Sequence, residues 1–150
     1  MEILFLLIPL AVVLMVVAVV STIGKAALTG PVTRRWGEGA TIKASLLAGS
    51  AGFLVLLAAW DFPTILAATG FFILSKTLLR PAALALISKR AGEEQGAAMG
   101  LSNSFMSLGR ILGPIWAGLS FDLGIWLPYV SGSVLMLAGF VFSLRVIRKP

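Results

Sequence analysis

Long uncharged stretches alternate with short polar segments along this 150-residue chain. A helix needs roughly 20 apolar residues to cross the ~30 Å hydrocarbon core of a bilayer. Five stretches reach that length, so the pattern predicts five transmembrane helices in an all-α fold. The predicted spans cover about residues 3–24, 41–60, 63–88, 96–121 and 125–144, and together they form a single transmembrane domain over residues 1–150.

Short segments that contain glycine or proline separate the predicted spans. Residues 61–63 predict a tight connection, because Pro63 fits the first turn of the helix that follows it. Residues 89–95 predict a polar loop around Gly92, and residues 122–124 predict a second tight turn. The first helix is expected to extend towards Gly30, and the second is expected to begin near Ala40 after an inner loop.

The composition fits a protein that lies in lipid. Hydrophobic residues make up 59% of the chain and charged residues 12%, whereas soluble domains carry about 25% charged residues. The chain has no His and no Cys, which removes histidine bases, cysteine nucleophiles and the usual zinc sites. The six acids all fall at span ends or in loops. We therefore expect no enzyme activity, no metal and no cofactor.

The basic residues outside the spans all lie on one side of the predicted membrane topology. That side collects Lys25, Arg34, Arg35, Lys43, Lys89, Arg90, Arg145, Arg148 and Lys149. The other side has acids at Glu2, Asp61 and Asp122 and no basic residue. The positive-inside rule then predicts an N-terminus outside and a C-terminus in the cytoplasm. The same bias accounts for the net charge of +6 without a nucleic-acid partner.

The segment from Gly30 to Gly39 resembles the cytoplasmic signature of the major facilitator superfamily, G-x-x-x-D-R-x-G-R-[RK]. Gly30, Arg35 and Gly37 match it, whereas Arg34 stands where the signature has an acid. In that family the signature returns in degraded form between the eighth and ninth helices, and the departures suit that copy. A simpler interpretation also stands, in which glycine ends a helix and the arginines face an anionic leaflet.

The fourth span carries a longer resemblance. Residues 107–114 read S-L-G-R-I-L-G-P and are followed by Ala117-Gly118, a string similar to the eleventh helix of drug:proton antiporters of the tetracycline and multidrug efflux type. Pro81 and the later Ser88-Lys89-Arg90 resemble the end of the tenth helix. The resemblance covers the whole chain as helices eight to twelve, an incomplete C-terminal bundle, with the family's N-terminal bundle absent.

The resemblance implies a function for the chain as part of a larger protein. It implies the C-terminal part of a secondary active transporter that exports drugs or small metabolites by alternating access, with the proton as coupling ion. Its partners would be the lipid bilayer, the N-terminal half and a small-molecule substrate, its location the bacterial plasma membrane, and the chain alone would be inactive. The alternative is a five-span scaffold or accessory subunit that does not transport.

Three basic residues lie within the predicted spans, where charge is costly unless it meets a cavity or a partner. Lys76 lies roughly 22 Å along the helix from Asp61, and Arg80 follows one turn later on the same face. Both residues either reach towards the inner interface or point into a substrate cavity, which the tenth helix lines in the resembled family. Arg110 lies close to mid-depth and serves either helix packing or the cavity.

The fourth span also carries polar and small residues at helical spacing. Asn103 and Ser107 are candidates for the cavity, or for hydrogen bonds between helices. Gly96 and Gly100 form one G-x-x-x-G pair, and Gly109 and Gly113 form another, followed by Pro114. Such spacing favours close helix packing, and the resembled family turns this helix towards its other bundle.

Overall fold

The computed structural model describes residues 2–25 and 29–147, and this part of the chain is helical almost throughout. Its helices are α1 (Glu2–Ile23), α2 (Thr29–Leu57), α3 (Phe62–Ala91), α4 (Gln95–Leu123) and α5 (Leu127–Val146), with a 3-10 turn at Gly92–Glu94. No β-strand occurs within the described ranges. The prediction of an all-α chain is therefore confirmed.

The largest departure from the predicted boundaries is at the start of α2. The helix begins at Thr29 and not near residue 40, so the segment that carries Gly30, Arg34 and Arg35 is helical, and the predicted loop there is wrong. Gly30 and Pro31 suggested a helix end, yet proline is tolerated in the first turn of a helix, where it lies here. The first helix is α-helical to Ile23 and continues as a π-helical turn through Gly24 and Lys25, and its predicted extension towards Gly30 falls on residues 26–28, outside the described part of the chain.

A glycine divides α2 into two helical segments. Gly37 has a φ of 78° and a ψ of 160°, a combination that is open almost only to glycine. Thr41 donates a hydrogen bond from its Oγ1 to the Gly37 carbonyl oxygen over 2.8 Å. The hydroxyl thus satisfies a carbonyl at the break, and the second segment runs on into the apolar part of α2.

The connections on either side of α4 differ from the prediction, one in length and one in position. In place of a polar loop over residues 89–95, α3 continues through Pro81 to Ala91, and the chain reverses in the 3-10 turn that begins at Gly92 (φ 53°). α4 extends to Leu123 and α5 begins at Leu127, so the turn between them lies two residues later than predicted.

The connection between α2 and α3 covers residues 58–61, slightly before the predicted connection at 61–63. Pro63 lies in the first turn of α3, and Asp61 is the N-cap residue. Thr64 Oγ1 accepts a hydrogen bond from the Asp61 backbone N–H over 3.1 Å and donates one to the Asp61 carbonyl oxygen over 2.7 Å. These two bonds fix the direction in which α3 leaves the turn.

Small side chains fill the interior of the bundle, and large apolar side chains cover its outside. The buried polar residues all carry hydroxyl groups: Thr41, Ser45, Ser50, Ser75, Thr77, Ser120, Ser133 and Ser143. The buried apolar residues of the described part are only Ile42, Ala68 and Ala82. Lipid gives no hydrophobic drive for helices to associate, so membrane helices approach through small residues and hydrogen bonds. The arrangement is that of a membrane bundle.

α2 lies at the centre of the helix packing. Its contacts with α3 and α5 are the most extensive between helices of the described part, whereas α1 packs on α3, and α4 makes fewer contacts with α3 and α5. The Oγ atoms of Ser50 on α2 and Ser133 on α5 are 2.8 Å apart. At Gly52 a Cβ atom would lie 3.3 Å from the Phe72 Cα on α3, so this glycine permits the close approach of the two helices.

Several helical stretches have the length and hydropathy of a membrane span. Within the described residues they are Gly30–Leu57, Phe62–Leu123, which contains both α3 and α4, and Leu127–Val146, while Ala11–Ile23 is a shorter apolar stretch. These stretches agree with an integral membrane protein. The count of five spans remains a prediction.

Candidate functional site

Two basic residues of α3 line a groove between α1 and α3. The groove has a volume of about 570 Å³, and both Lys76 and Arg80 border it. α1 contributes Ser21, the turn directly after α1 contributes Lys25, and α3 adds Thr77, whose hydroxyl donates to the Ile73 carbonyl oxygen over 2.8 Å. The groove therefore combines three cationic side chains with hydroxyl groups, and the rest of its wall is apolar.

A second groove lies on the other side of the same residues, between α3 and α4. Its volume is about 320 Å³, and α4 contributes Ser102 and Met106 to its wall. Lys76, Arg80 and Leu84 line both grooves. Their spacing of four residues places them on one helical face. This face of α3 forms a ridge that presents its two cations to α1 on one side and to α4 on the other.

Two phenylalanine rings hold the ammonium group of Lys76. Its Nζ lies 4.4 Å from the ring centre of Phe72, one turn earlier on α3, and 5.3 Å from that of Phe53 on α2. The two rings meet edge to face with centres 4.5 Å apart. A cation within about 6 Å of an aromatic ring centre is attracted by the ring's electron density. The rings thus stabilise the ammonium deep in α3 without neutralising its charge.

Packing from α5 fixes the position of Phe53. A Cβ atom on Gly132 would lie only 2.7 Å from Phe53 Cζ, so the ring rests directly on the backbone of α5. On its other side the ring contacts Phe72. The aromatic pair therefore connects Lys76 to the packing of α2, α3 and α5.

The predicted polar residues of α4 do not border either groove. Asn103, Ser107 and Arg110 are exposed, and the residues that α4 turns towards Lys76 are Ser102 and Met106. One residue along a helix rotates the side chain by about 100°, so Asn103 and Ser107 lie on the neighbouring face. Lys76 and Arg80 lie together on one face of α3 and line both grooves, whereas Asn103, Ser107 and Arg110 line neither.

The glycine pairs of α4 pack against nothing in the described part of the chain. A Cβ atom at Gly96, Gly100, Gly109 or Gly113 would have no atom within 4 Å outside its own helix backbone. Pro114 lies within the continuous helix α4. The face that carries these glycines is therefore bare here, and their predicted packing role stays a prediction.

Contacts at the opposite end of α2 tie three helices together. Glu38 forms an ion pair with Lys89 near the end of α3. Lys43 donates a hydrogen bond from Nζ to the Ile147 carbonyl oxygen over 2.8 Å, which connects α2 to the end of α5. The hydrogen bond from Lys89 is the main cause that lowers the pKa of the Glu38 carboxyl from its ordinary value. The signature residues Gly30, Arg34, Arg35 and Gly37 precede this cluster on α2.

The sequence interpretation missed most of the residues around Lys76. Phe72 could have been found, because it precedes Lys76 by four residues and shares its helical face. Phe53, Lys25 and Ser21 come from other helices, and no local pattern pairs them with α3. Ser102 and Met106 were missed because polarity alone drew attention to the adjacent face of α4.

Comparisons with known proteins find relatives that are named as drug-resistance proteins. The chain is 32% identical over 135 residues to multidrug resistance protein 2 of Bacillus subtilis. The match covers 90% of this chain and 34% of that protein. It is 32% identical over 127 residues to multidrug resistance protein 1 of the same organism. It is 35% identical over 100 residues to quinolone resistance protein NorA of Staphylococcus aureus, over 67% of this chain and 26% of the relative.

The matches cover only part of each relative. The chain spans about a third of the length of the first two curated relatives. No family model matches the sequence, and no solved structure matches it.

Proposed function

Because the chain belongs to the drug-efflux transporters of the major facilitator superfamily, we propose that it forms the C-terminal part of such a transporter, equivalent to helices eight to twelve. The observation that carries the proposal is the match of 90% of this chain to a third of a multidrug resistance protein. In the proposed protein, a second helical bundle outside this sequence completes the transport path.

The grooves beside α3 form one wall of that path. They are open, they carry the charged residues that lie within the helices, and they border α1, α3 and α4 rather than α2 and α5. In transporters built from two bundles the substrate binds between the bundles near the membrane midplane. Lys76 and Arg80 are the cavity residues of this proposal, with Asn103, Ser107 and Arg110 on the neighbouring face of α4 turned to the second bundle.

The bare glycine face of α4 provides the contact surface with the second bundle. Gly96, Gly100, Gly109 and Gly113 leave room for a helix to approach closely. Such a smooth contact permits the small rotation by which the two bundles expose the site to alternate sides. Pro114 adds a position in α4 that has no backbone N–H to hold the helix straight.

The orientation follows from the charge distribution of the sequence. Five spans with the N-terminus outside place the signature residues Arg34 and Arg35 and the Glu38–Lys89 pair at the cytoplasmic face. Single cysteines can test this topology, because the chain has no cysteine of its own. We expect Ala40→Cys, at an exposed position, to react only from the cytoplasmic side and Leu123→Cys only from outside. Reaction of Ala40→Cys from outside intact cells would reject this orientation.

The coupling ion is a proton, and its carriers lie on the second bundle. Neither groove is lined by an acid in the described part of the chain, and its one ion pair, Glu38–Lys89, lies at the inner end. A carboxylate that takes up and releases the proton must therefore come from elsewhere in the transporter.

A chimera tests the proposed function. This chain replaces the matching third of Bacillus subtilis multidrug resistance protein 2, and cells are scored for energy-dependent efflux of a fluorescent quinolone, a drug that carries a carboxylate. We expect efflux by the chimera, its loss when a protonophore collapses the proton gradient, and no flux from proteoliposomes that hold the chain alone. A correctly inserted chimera without efflux, or saturable flux by the chain alone, would refute the proposal and favour a non-transporting membrane protein.

The assignment of Lys76 and Arg80 to the substrate cavity is tested by comparing two variants. If Lys76 lines the path, Lys76→Met in the chimera should fold normally and lose most of its transport, whereas a lysine that only reaches the interface would be dispensable. Arg80→Met is compared at matched expression. Unimpaired transport by both variants would remove the two residues from the site.

A further inference from the structure

The groove between α1 and α3 has an unbalanced charge. Lys25, Lys76 and Arg80 all line it, and none of the three forms an ion pair within residues 2–25 and 29–147. Charged groups inside a membrane protein are costly unless something compensates for them. An anion from another molecule is therefore needed to compensate for the three positive charges along one apolar groove.

The aromatic rings prepare Lys76 to bind such an anion. Phe72 and Phe53 hold the ammonium at 4.4 and 5.3 Å from their ring centres. An ammonium has three N–H donors, and a ring face does not satisfy them as an oxygen would. The cation is thus held in place with its donors still available to the groove.

The depth of Lys76 limits what can reach it. α3 has 30 residues, so it is about 45 Å long, and Lys76 lies near its middle, roughly 22 Å from either end. The headgroup of a phospholipid stays at the interface and can reach only the outer members of the row. A molecule that enters the groove itself can reach Lys76 and use the apolar wall at Ile73 and Leu84.

We infer that the groove between α1 and α3 binds the anionic group of the transported molecule, and that the substrates of this transporter are amphiphilic organic anions such as carboxylates or sulfonates. Lys76 is the deepest contact, and Arg80 and Lys25 attract the anion along the groove. The inference rests on the proposed function, because it names the substrate class of the same site.

A pair of probes that differ only in charge tests this inference. The purified 150-residue chain in dodecyl maltoside, an uncharged detergent, is titrated with dansylglycine, a carboxylate, and with dansylglycinamide, its neutral analogue. We expect dansylglycine to bind about tenfold more tightly, as a charge-assisted hydrogen bond implies. Lys76→Gln should abolish that preference and leave the neutral probe unaffected, and Lys76→Arg should retain it.

Arg145→Gln is the matched control, since it removes one exposed positive charge from the end of α5, away from the groove. Equal binding of both probes to the native chain, or an equal loss of preference in Arg145→Gln, would overturn the inference. The binding measurement does not require transport, so its result is independent of whether the chimera exports the quinolone.

Two further binding measurements identify the source of the anion. In phosphatidylcholine nanodiscs, phosphatidylglycerol should leave the Lys76-dependent binding unchanged, and loss of that binding would assign the groove to a lipid headgroup and overturn the inference. The chimera with the Bacillus protein should also bind dansylglycine. If only the isolated chain binds it, an acid of the second bundle occupies Lys76 and the inference is wrong.

Discussion

The contact between Gly132 and Phe53 gives a sharp test of how the site is built. A Cβ atom on Gly132 would lie 2.7 Å from Phe53 Cζ and 2.9 Å from the two Cε atoms. Carbon atoms in van der Waals contact are about 3.5–4.0 Å apart. Gly132→Ala must therefore push the Phe53 ring away from α5 and disturb the aromatic pair that holds Lys76.

The size of the effect follows from two opposing contributions. An extra methyl group in a well-packed interior costs about 1–3 kcal/mol, whereas replacing glycine by alanine within a helix favours the helix by about 1 kcal/mol. Gly139 on the same helix supplies the control, because its Cβ atom would lie 3.5 Å from Leu46 Cδ2, an ordinary contact. Gly132→Ala should thus be less stable than Gly139→Ala by about 1–3 kcal/mol.

Unfolding of both variants is followed by circular dichroism as SDS is added to dodecyl maltoside micelles. Gly139→Ala should be at least as stable as the native chain. Phe53→Leu combined with Gly132→Ala should recover part of the lost free energy, because the ring that clashes is gone. Equal unfolding free energies for the two alanine variants would refute the reasoning, since helix propensity is the same for both.

Three further predictions concern contacts elsewhere in the bundle. Ser50→Ala and Ser133→Ala should each destabilise the chain, and the double variant should show a coupling of about 0.6 kcal/mol in an SDS unfolding cycle; additive effects would contradict a shared hydrogen bond. Gly37→Ala should cost about 1–3 kcal/mol in the same assay, because its φ of 78° strains any side chain. The pKa of Glu38 is lowered by Lys89, so their ion pair stabilises the fold above the ordinary pKa of a carboxyl and is lost as the pH falls through the lowered one. Glu38→Gln should therefore flatten the acid limb of a stability–pH profile.

The helices could be predicted because the bilayer sets their length and excludes charge. Asp61 and Pro63 fixed the start of α3 to within a residue. The predicted helix boundaries were wrong where a polar segment remains helical beyond the apolar stretch. Residues 29–36 and 89–91 are examples, since their charged side chains reach water without leaving the helix. Hydropathy reports the environment of a segment and says little about its backbone.

The candidate site could be predicted only in part, for a similar reason. Lys76 and Arg80 stand out because charge is rare in these spans. The partners of Lys76 depend on how helices rotate against each other, and Phe53, which lies near Lys76, also packs on Gly132 of α5. A sequence pattern gives the periodicity of each helix but does not state which face meets which neighbour. Asn103 and Ser107 lie outside the grooves because α4 turns its adjacent face, which carries Ser102 and Met106, towards α3.

Water access to the groove tests the central claim most directly. Ser102 lines the groove beside Lys76, whereas Ala138 is exposed on α5 and borders neither groove. Each lies about 10–12 Å from the nearer end of its helix. In the chimera, a membrane-impermeant maleimide should label Ser102→Cys from one side of the membrane and leave Ala138→Cys unlabelled. Failure to label Ser102→Cys from either side would show that the groove faces lipid and is no part of a transport path.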